Sequence, residues 1–227
     1  MALDGSTALS RELAALKRQG ASLLVVGDGG VDAAVCPSLL GERGADRRGL
    51  FLATTVGSAD VRARWTGPET ASTFGVVDVT GTRGPQAQVG ASLGDPGVAA
   101  GDSDWYERAA IDDPDAIVAA VKRGVNRLAA DDPPPATLRF CLDSVDPLLD
   151  ALPSDRLFTM LTTLTGVVKE VGGMAHVHAS PALPTETRRT LEPLFDATIE
   201  VEQTEPGTHR QRWHLHEADV ETEWLTV

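Results

Sequence analysis

The chain has 227 residues, a formal net charge of −13 and 42% hydrophobic residues. This hydrophobic content indicates a folded protein and excludes an intrinsically disordered one. No run approaches the roughly 18 apolar residues of a membrane helix, and the acidic balance gives no electrostatic support for nucleic-acid binding. We therefore expect a single domain over residues 1–227 that binds neither membranes nor nucleic acid.

The choice of charged residues is uneven. The sequence has 33 Asp and Glu against 20 Lys and Arg, and only Lys17, Lys122 and Lys169 are lysines. Hydrated carboxylates keep a protein soluble in concentrated salt, where charge repulsion is screened. The composition favours a halophilic source, with an acidic protein of a GC-rich bacterium as the alternative. The first residues lack the basic and apolar segments of a signal peptide, and the cysteine usage described next leads us to expect a cytoplasmic location.

Cys36 and Cys141 are the only cysteines. Two thiols in a chain of this length do not make a disulfide framework. Each stands among apolar residues, which predicts a small buried hydrophobic side chain.

Short apolar strands alternate with amphipathic helices along the chain. "SLLVV" (22–26) is an unbroken apolar run, as expected for a parallel strand covered on both faces. The predicted elements are helix 6–18, strand 22–26, helix 32–41, strand 49–55, helix 58–65, strand 74–81, helix 113–132, strand 137–143, helices 145–151 and 154–173, strand 174–180, helix 185–195, and strands 197–203 and 210–218. This order predicts a three-layer α/β domain with a mostly parallel central sheet, helices on both faces and a C-terminal antiparallel hairpin at one edge.

Residues 82–104 interrupt the alternation. They hold five glycines, two prolines and few large apolar side chains, which predicts a long loop. "GASLG" in this segment matches the nucleophile-elbow pattern, but that pattern needs a strand before it and a helix after it. We interpret it as a chance match.

The turn after the first strand is rich in glycine like a phosphate-binding loop, but it lacks the lysine of that loop, and Asp32 stands at the position of its second glycine. In a P-loop, G-x-x-x-x-G-K-[ST], backbone N–H groups and the lysine hold phosphates while the hydroxyl holds magnesium. Counted from Gly27, Ala33 and Ala34 stand at the lysine and hydroxyl positions. Asp28 and Asp32 add negative charge, and two like charges near 4 Å repel by roughly 4 kcal/mol at an effective surface dielectric.

Several passages together resemble the RecA/KaiC-like P-loop ATPases. "LRFCLDSVDPLL" resembles a Walker B strand, and "GLFLATTVGSADVRARW" resembles the next strand and helix of that group, with Val56 and Gly57 at the places of its catalytic glutamates. "LEPLFDATIEVEQ…RQRWHLH" resembles its closing passage. The chain is thus similar to degenerate members, including non-catalytic homologues of halophilic archaea. The resemblance implies a vestigial nucleotide site formed by Gly27, Asp28, Gly29, Gly30, Asp143 and Ser144.

Both halves of that site have simpler interpretations. Gly27, Gly29 and Gly30 also suit a tight strand-to-helix turn with no ligand. Asp143 stands at a strand end, where open α/β sheets bind ligands, and it could equally cap the helix at 145–151. The departures at the catalytic positions lead us to expect no catalytic residue, no metal and no cofactor.

Histidines alternate on two predicted strands. His176 and His178 share one face of their strand, as do His214 and His216. If the two strands were neighbours, four histidines could meet at a transition metal; otherwise these are ordinary polar strand positions.

Arginines form two small groups. Arg43, Arg47 and Arg48 make a basic patch that we interpret as a solvated loop. Arg62 and Arg64 would bind an anion or, as the simpler interpretation, line a solvated helix face.

These features favour a non-catalytic protein-interaction or signalling module with a protein partner and a capacity to form homo-oligomers. The alternative is a sensor of a small molecule or nucleotide, with a pocket formed by Asp28, Thr54, Asp143 and His178 under the loop 82–104. An active enzyme would need its missing lysine from elsewhere, such as a neighbouring subunit.

Overall fold

The computed structural model describes residues 5–27, 32–41, 46–65, 67, 70, 72–80 and 105–227. The sequence-based interpretations of Asp28, Gly29, Gly30, Arg43 and the loop 82–104 lie outside these residues.

Strands and helices alternate over the described residues. The strands are β1 (Ala21–Val26), β2 (Arg48–Ala53), β3 (Phe74–Asp78), β4 (Trp105–Arg108), β5 (Leu138–Leu142), β6 (Met174–Ala179), β7 (Ala197–Glu205), β8 (Thr208–Leu215), β9 (Val220–Glu221) and β10 (Leu225–Thr226). The helices are α1 (Gly5–Gln19), α2 (Asp32–Leu40), α3 (Ser58–Arg64), α4 (Pro114–Leu128), α5 (Asp146–Ala151), α6 (Ser154–Glu170) and α7 (Thr185–Leu191). A turn of 3₁₀ helix, Glu192–Leu194, follows α7.

The described strands form one sheet in the order β4-β3-β2-β5-β6-β1-β7-β8-β10, with β9 also paired to β8. Every pair from β4 to β7 is parallel, and β7 and β8 form an antiparallel hairpin. Parallel neighbours need crossovers, which the helices supply. The predicted α/β class, mostly parallel sheet and edge hairpin are confirmed.

Helices cover both faces of the sheet, so side chains of either parity along the central strands are buried. On β1, Leu24 and Val26 belong to the large apolar cluster under α4 and α6, whereas Leu23 and Val25 belong to a cluster that α1 joins through Leu13. We call these sides the α6 face and the α2 face. The α2 face also carries α2 and α3 over β2, β3 and β5.

Three short strands are missing from the sequence-based prediction. β4, β9 and β10 have two to four residues each and no unbroken apolar run. Their strand conformation depends on partners in the sheet, such as Gly75, which pairs with Trp105. Local pattern alone therefore does not identify them.

Within the part of the chain that the structure describes, no helix is long and apolar enough to cross a membrane.

Candidate functional site

The end of β1 and the end of β5 lie at the carboxyl edge of the parallel sheet. Gly27 follows β1 directly, and its N–H donates to the carbonyl oxygen of Ala179 at the end of β6, at 3.2 Å. Asp143 and Ser144 follow β5. This edge is where open α/β sheets bind ligands.

Asp143 is held by the loop that follows β2. Its Oδ1 accepts hydrogen bonds from the Thr54 backbone N–H and hydroxyl, both at 2.6 Å. Its Oδ2 accepts from the Thr55 N–H and hydroxyl at 2.9 and 2.8 Å, and from the Val56 N–H at 2.9 Å. A carboxylate offers about four lone-pair sites, so these five donors occupy both oxygens. The side chain is also buried.

The proposed capping role of Asp143 is wrong. Its carboxylate points to the β2 loop, and α5 has Val145 at its N-cap without a side-chain hydrogen bond. Ser144 stands at the helix start instead: its hydroxyl accepts from the Asp146 N–H at 3.2 Å and contacts the Asp146 carboxylate at 2.9 Å. Asp143 therefore joins two strand ends, and Ser144 supports the helix that follows.

None of the three lysines, all of which the structure describes, lies at the carboxyl edge beside Gly27. Lys17 is in the last turn of α1, just before β1 begins. Lys169 contacts both carboxylate oxygens of Asp196 at 2.7 and 2.9 Å, beside the amino end of β7. Lys122 lies midway along α4. No lysine of this chain therefore replaces the one that is missing at Ala33.

The α2 face contains a buried cluster of two thiols and two imidazoles that the sequence did not predict. Cys141 on β5 and His176 on β6 are direct partners in the parallel register, and His178 is two residues further along the same face. Cys36 of α2, the helix that packs on this face of the sheet, contacts Cys141 and His176. One potential ligand atom from each residue lies within 4.8 Å of the other three.

The contacts inside this cluster are close. Cys36 Sγ is 3.8 Å from Cys141 Sγ and 3.4 Å from His176 Nε2. The imidazole rings of His176 and His178 are 5.2 Å apart and edge to face. All four side chains are 0–2% exposed, so water does not reach them.

Burial and mutual contact set the protonation of the cluster. The contact with Cys141, helped by His176, holds the pKa of Cys36 well below its ordinary value although burial acts in the opposite direction. Burial raises the pKa of Cys141 well above its ordinary value and lowers the pKa of His176. Transition metals bind cysteine as the thiolate and histidine as the neutral imidazole.

The four-histidine hypothesis is wrong because of the strand order. β1 and β7 lie between β6 and β8, which carries His214 and His216. His216 Nδ1 lies 2.7 Å from the carbonyl oxygen of Phe195 and Nε2 lies 3.0 Å from the Thr198 hydroxyl. His176 and His178 instead lie beside the two cysteines, which are buried as the sequence predicts.

Two arginines of the groups named in the sequence analysis contact other parts of the fold. Arg48 pairs with Asp131 and donates to the Leu128 carbonyl oxygen at 2.7 Å, which ties the start of β2 to the end of α4. Arg62 lies over the Phe74 ring at 5.8 Å. These arginines have structural partners within the chain.

Of the residues proposed for a sensor pocket, Asp28 lies outside the described residues, and the other three lie on or directly after the adjacent strands β2, β5 and β6. Thr54 contacts Asp143 directly, whereas His178 belongs to the cysteine–histidine cluster under α2. All three are buried. Their side chains thus contact protein groups within the fold.

Comparison with known proteins places most of the chain in one family. No curated protein matches the chain. A family profile described as a family of unknown function (DUF7504) matches residues 20–201, from the residue before β1 into β7. This range includes Gly27, Asp143 and the whole cysteine–histidine cluster. The chain belongs to this family of unknown function, DUF7504.

Proposed function

We propose that this chain is a non-catalytic, RecA/KaiC-like protein that serves as a protein-interaction or regulatory module. In this proposal the residues at the position of an ATPase site connect neighbouring strands and bind no nucleotide. The observation that carries it is the Asp143 carboxylate, whose two oxygens are bound by backbone and hydroxyl groups of residues 54–56.

The contacts of Asp143 oppose a role in nucleotide hydrolysis. In P-loop NTPases the Walker B aspartate helps to hold the magnesium ion that bridges the phosphates. To bind that ion, Asp143 would have to release donors that include the Thr54 N–H, which is buried with it. An unpaired buried donor costs about 1–3 kcal/mol, so such a rearrangement is unfavourable.

The sequence of the turn supports the same conclusion. Ala33 and Ala34 supply neither a cation nor a hydroxyl. Without the lysine, nothing in the P-loop pattern balances the charge of the outer phosphates. The fold can keep its shape without either group, because strand packing and the hydrogen bonds of Asp143 hold the edge together.

Nucleotide assays test the non-catalytic part of the proposal. We expect no ATP hydrolysis above background and no magnesium-dependent increase of the melting temperature with ATP, measured at high salt. We also expect Asp143→Asn to lower the free energy of unfolding by about 2–3 kcal/mol without any nucleotide, because the new amide group would face N–H donors. The matched control is Asp150→Asn on α5, an exposed residue whose loss removes the same charge.

Two results would contradict this assignment. One is a clear rise in melting temperature with ATP and magnesium that Asp143→Asn abolishes. The other is an Asp143→Asn protein with the same free energy of unfolding as the Asp150→Asn control, because the loss of a structural connection between strands should lower that free energy.

Affinity capture tests the interaction part. The tagged protein is incubated with extract of its source organism at the salt concentration of that cell, and sedimentation of the purified protein tests for homo-oligomers. A partner recovered in a fixed ratio supports the module. Recovery of the bait alone, as a monomer, would contradict it.

A further inference from the structure

We propose that Cys36, Cys141, His176 and His178 form a tetrahedral site for a zinc-class metal ion that fastens α2 to the sheet. This inference is independent of nucleotide chemistry and of the proposed interaction role. It rests on the position, spacing and burial of four side chains from three elements.

The donor set matches one class of ion. Two thiolates and two imidazoles are the ligands of closed structural zinc sites, which are four-coordinate and tetrahedral. Hard cations such as magnesium and calcium require oxygen ligands instead. Soft sulfur donors with imidazole therefore select zinc and its close relatives.

The two distances from Cys36 Sγ to the neighbouring ligand atoms match the same geometry. With Zn–S near 2.3 Å and Zn–N near 2.0–2.1 Å, a tetrahedron has edges of about 3.8 Å between sulfurs and about 3.6 Å between sulfur and nitrogen. The corresponding separations are 3.8 Å for Cys36 Sγ to Cys141 Sγ and 3.4 Å for Cys36 Sγ to His176 Nε2. A disulfide would require the sulfurs to close to about 2.05 Å, and it would use neither histidine.

The fold explains why these residues meet. β5 and β6 are parallel neighbours, so Cys141 and His176 stand side by side on one face. α2 packs on β5 and carries Cys36, fully buried, to the same place. Burying polar side chains at this depth costs folding free energy unless they form hydrogen bonds or coordinate a metal ion. A metal ion at this point would link β5, β6 and the helix that follows the Gly27 turn.

The binding step involves no change of oxidation state. Zn²⁺ binds both sulfurs as thiolates, and each thiol that is protonated in the metal-free protein releases one proton to solvent. The histidines bind as neutral imidazoles. Because the four side chains are at most 2% exposed, the ion enters while the chain folds.

The first test is the metal content of the full-length protein, expressed with added Zn²⁺, purified under reducing conditions and dialysed. We expect about one zinc per chain, and at least a tenfold lower content in Cys36→Ala. Val35→Ala, which truncates a neighbouring buried side chain of α2, and His214→Gln, which alters the other histidine pair, should retain it. Zinc-free wild-type protein, equal zinc in Cys36→Ala, or loss of zinc from His214→Gln would overturn the proposal.

A second measurement does not depend on the folding of any variant. Wild-type protein is expressed or refolded with Co²⁺ in place of Zn²⁺, and its absorption spectrum is recorded. Sulfur-to-cobalt charge-transfer bands with strong tetrahedral d–d bands are expected. Only weak octahedral bands, or fewer than two titratable thiols after denaturation without reductant, would overturn the site, the latter in favour of a disulfide.

Discussion

At the scale of single residues, Tyr106 offers a direct measurement because it is the only tyrosine. Its hydroxyl donates to the Asp78 carboxylate and accepts from Arg108 Nε at 2.9 Å. Burial, followed by the contact with Asp78, raises the pKa of Tyr106 to about 12. We expect the tyrosinate absorbance of the folded protein to titrate near that value, and Asp78→Asn to move the midpoint towards 10, the ordinary value of tyrosine.

The raised pKa of Tyr106 also determines how its contribution to the stability of the protein depends on pH. Since the folded-state pKa of Tyr106 is raised, its contribution is fully present below pH 10 and is lost as the pH rises through about 12. Protein unfolded in denaturant is the control and should titrate near pH 10. A folded-state midpoint near 10 would show that neither burial nor the contact with Asp78 raises the pKa of this phenol.

Single residues also show where sequence reasoning ends. Gly27 and Asp143 were correctly placed at the carboxyl edge, because strand ends can be read from apolar runs. The partners of Asp143 were not predicted, since Thr54 is 89 residues away in the chain. The cysteine–histidine cluster was missed for the same reason: Cys36 and His176 are 140 residues apart and meet only through strand register.

At the scale of elements, Asp196 connects three parts of the fold. Its Oδ2 accepts from the Ser22 N–H at 2.7 Å and from the Ser22 hydroxyl at 2.9 Å, and its carboxylate pairs with Lys169. We expect Asp196→Ala to lower the free energy of unfolding by about 2–3 kcal/mol, because a backbone donor at the start of β1 loses its acceptor. Lys169→Met should cost only about 0–1 kcal/mol, since a partly exposed ion pair contributes little.

Urea denaturation measures both variants. We expect the loss in the free energy of unfolding to be larger for Asp196→Ala than for Lys169→Met, because the connection between β1 and β7 depends more on the hydrogen bonds to Ser22 than on the lysine. Equal losses for Asp196→Ala and Lys169→Met would assign the stabilisation to the ion pair instead.

The elements themselves were largely predictable, in proportion to their length. α4 and α6 have 15 and 17 residues with a regular apolar face, and both were predicted. β1 is short but fully buried, and its unbroken apolar run is enough to identify such a strand. β9 and β10 have two residues each, and they are strands only because β8 lies beside them.

At the scale of the whole molecule, a buried or partly buried aspartate connects neighbouring strands at each of the two edges where the parallel strands begin and end. Asp143 joins the ends of β2 and β5 at the carboxyl edge, and Asp196 joins the starts of β1 and β7 at the amino edge. The proposed metal site lies between these edges, under α2.

The net charge of −13 sets the response of the whole molecule to salt. Self-repulsion of excess carboxylates destabilises a compact chain, and the screening length falls from about 10 Å at 0.1 M salt to about 3 Å at 1 M. We expect the melting temperature to rise with KCl by about 4–8 °C over this range, which corresponds to roughly 2 kcal/mol for a chain of this size. The matched variant combines Asp150→Asn, Glu205→Gln and Glu217→Gln, which are exposed positions. With three fewer negative charges it should melt higher at low salt and gain less from KCl. An equal gain in both proteins would mean that the salt acts on apolar burial rather than on charge.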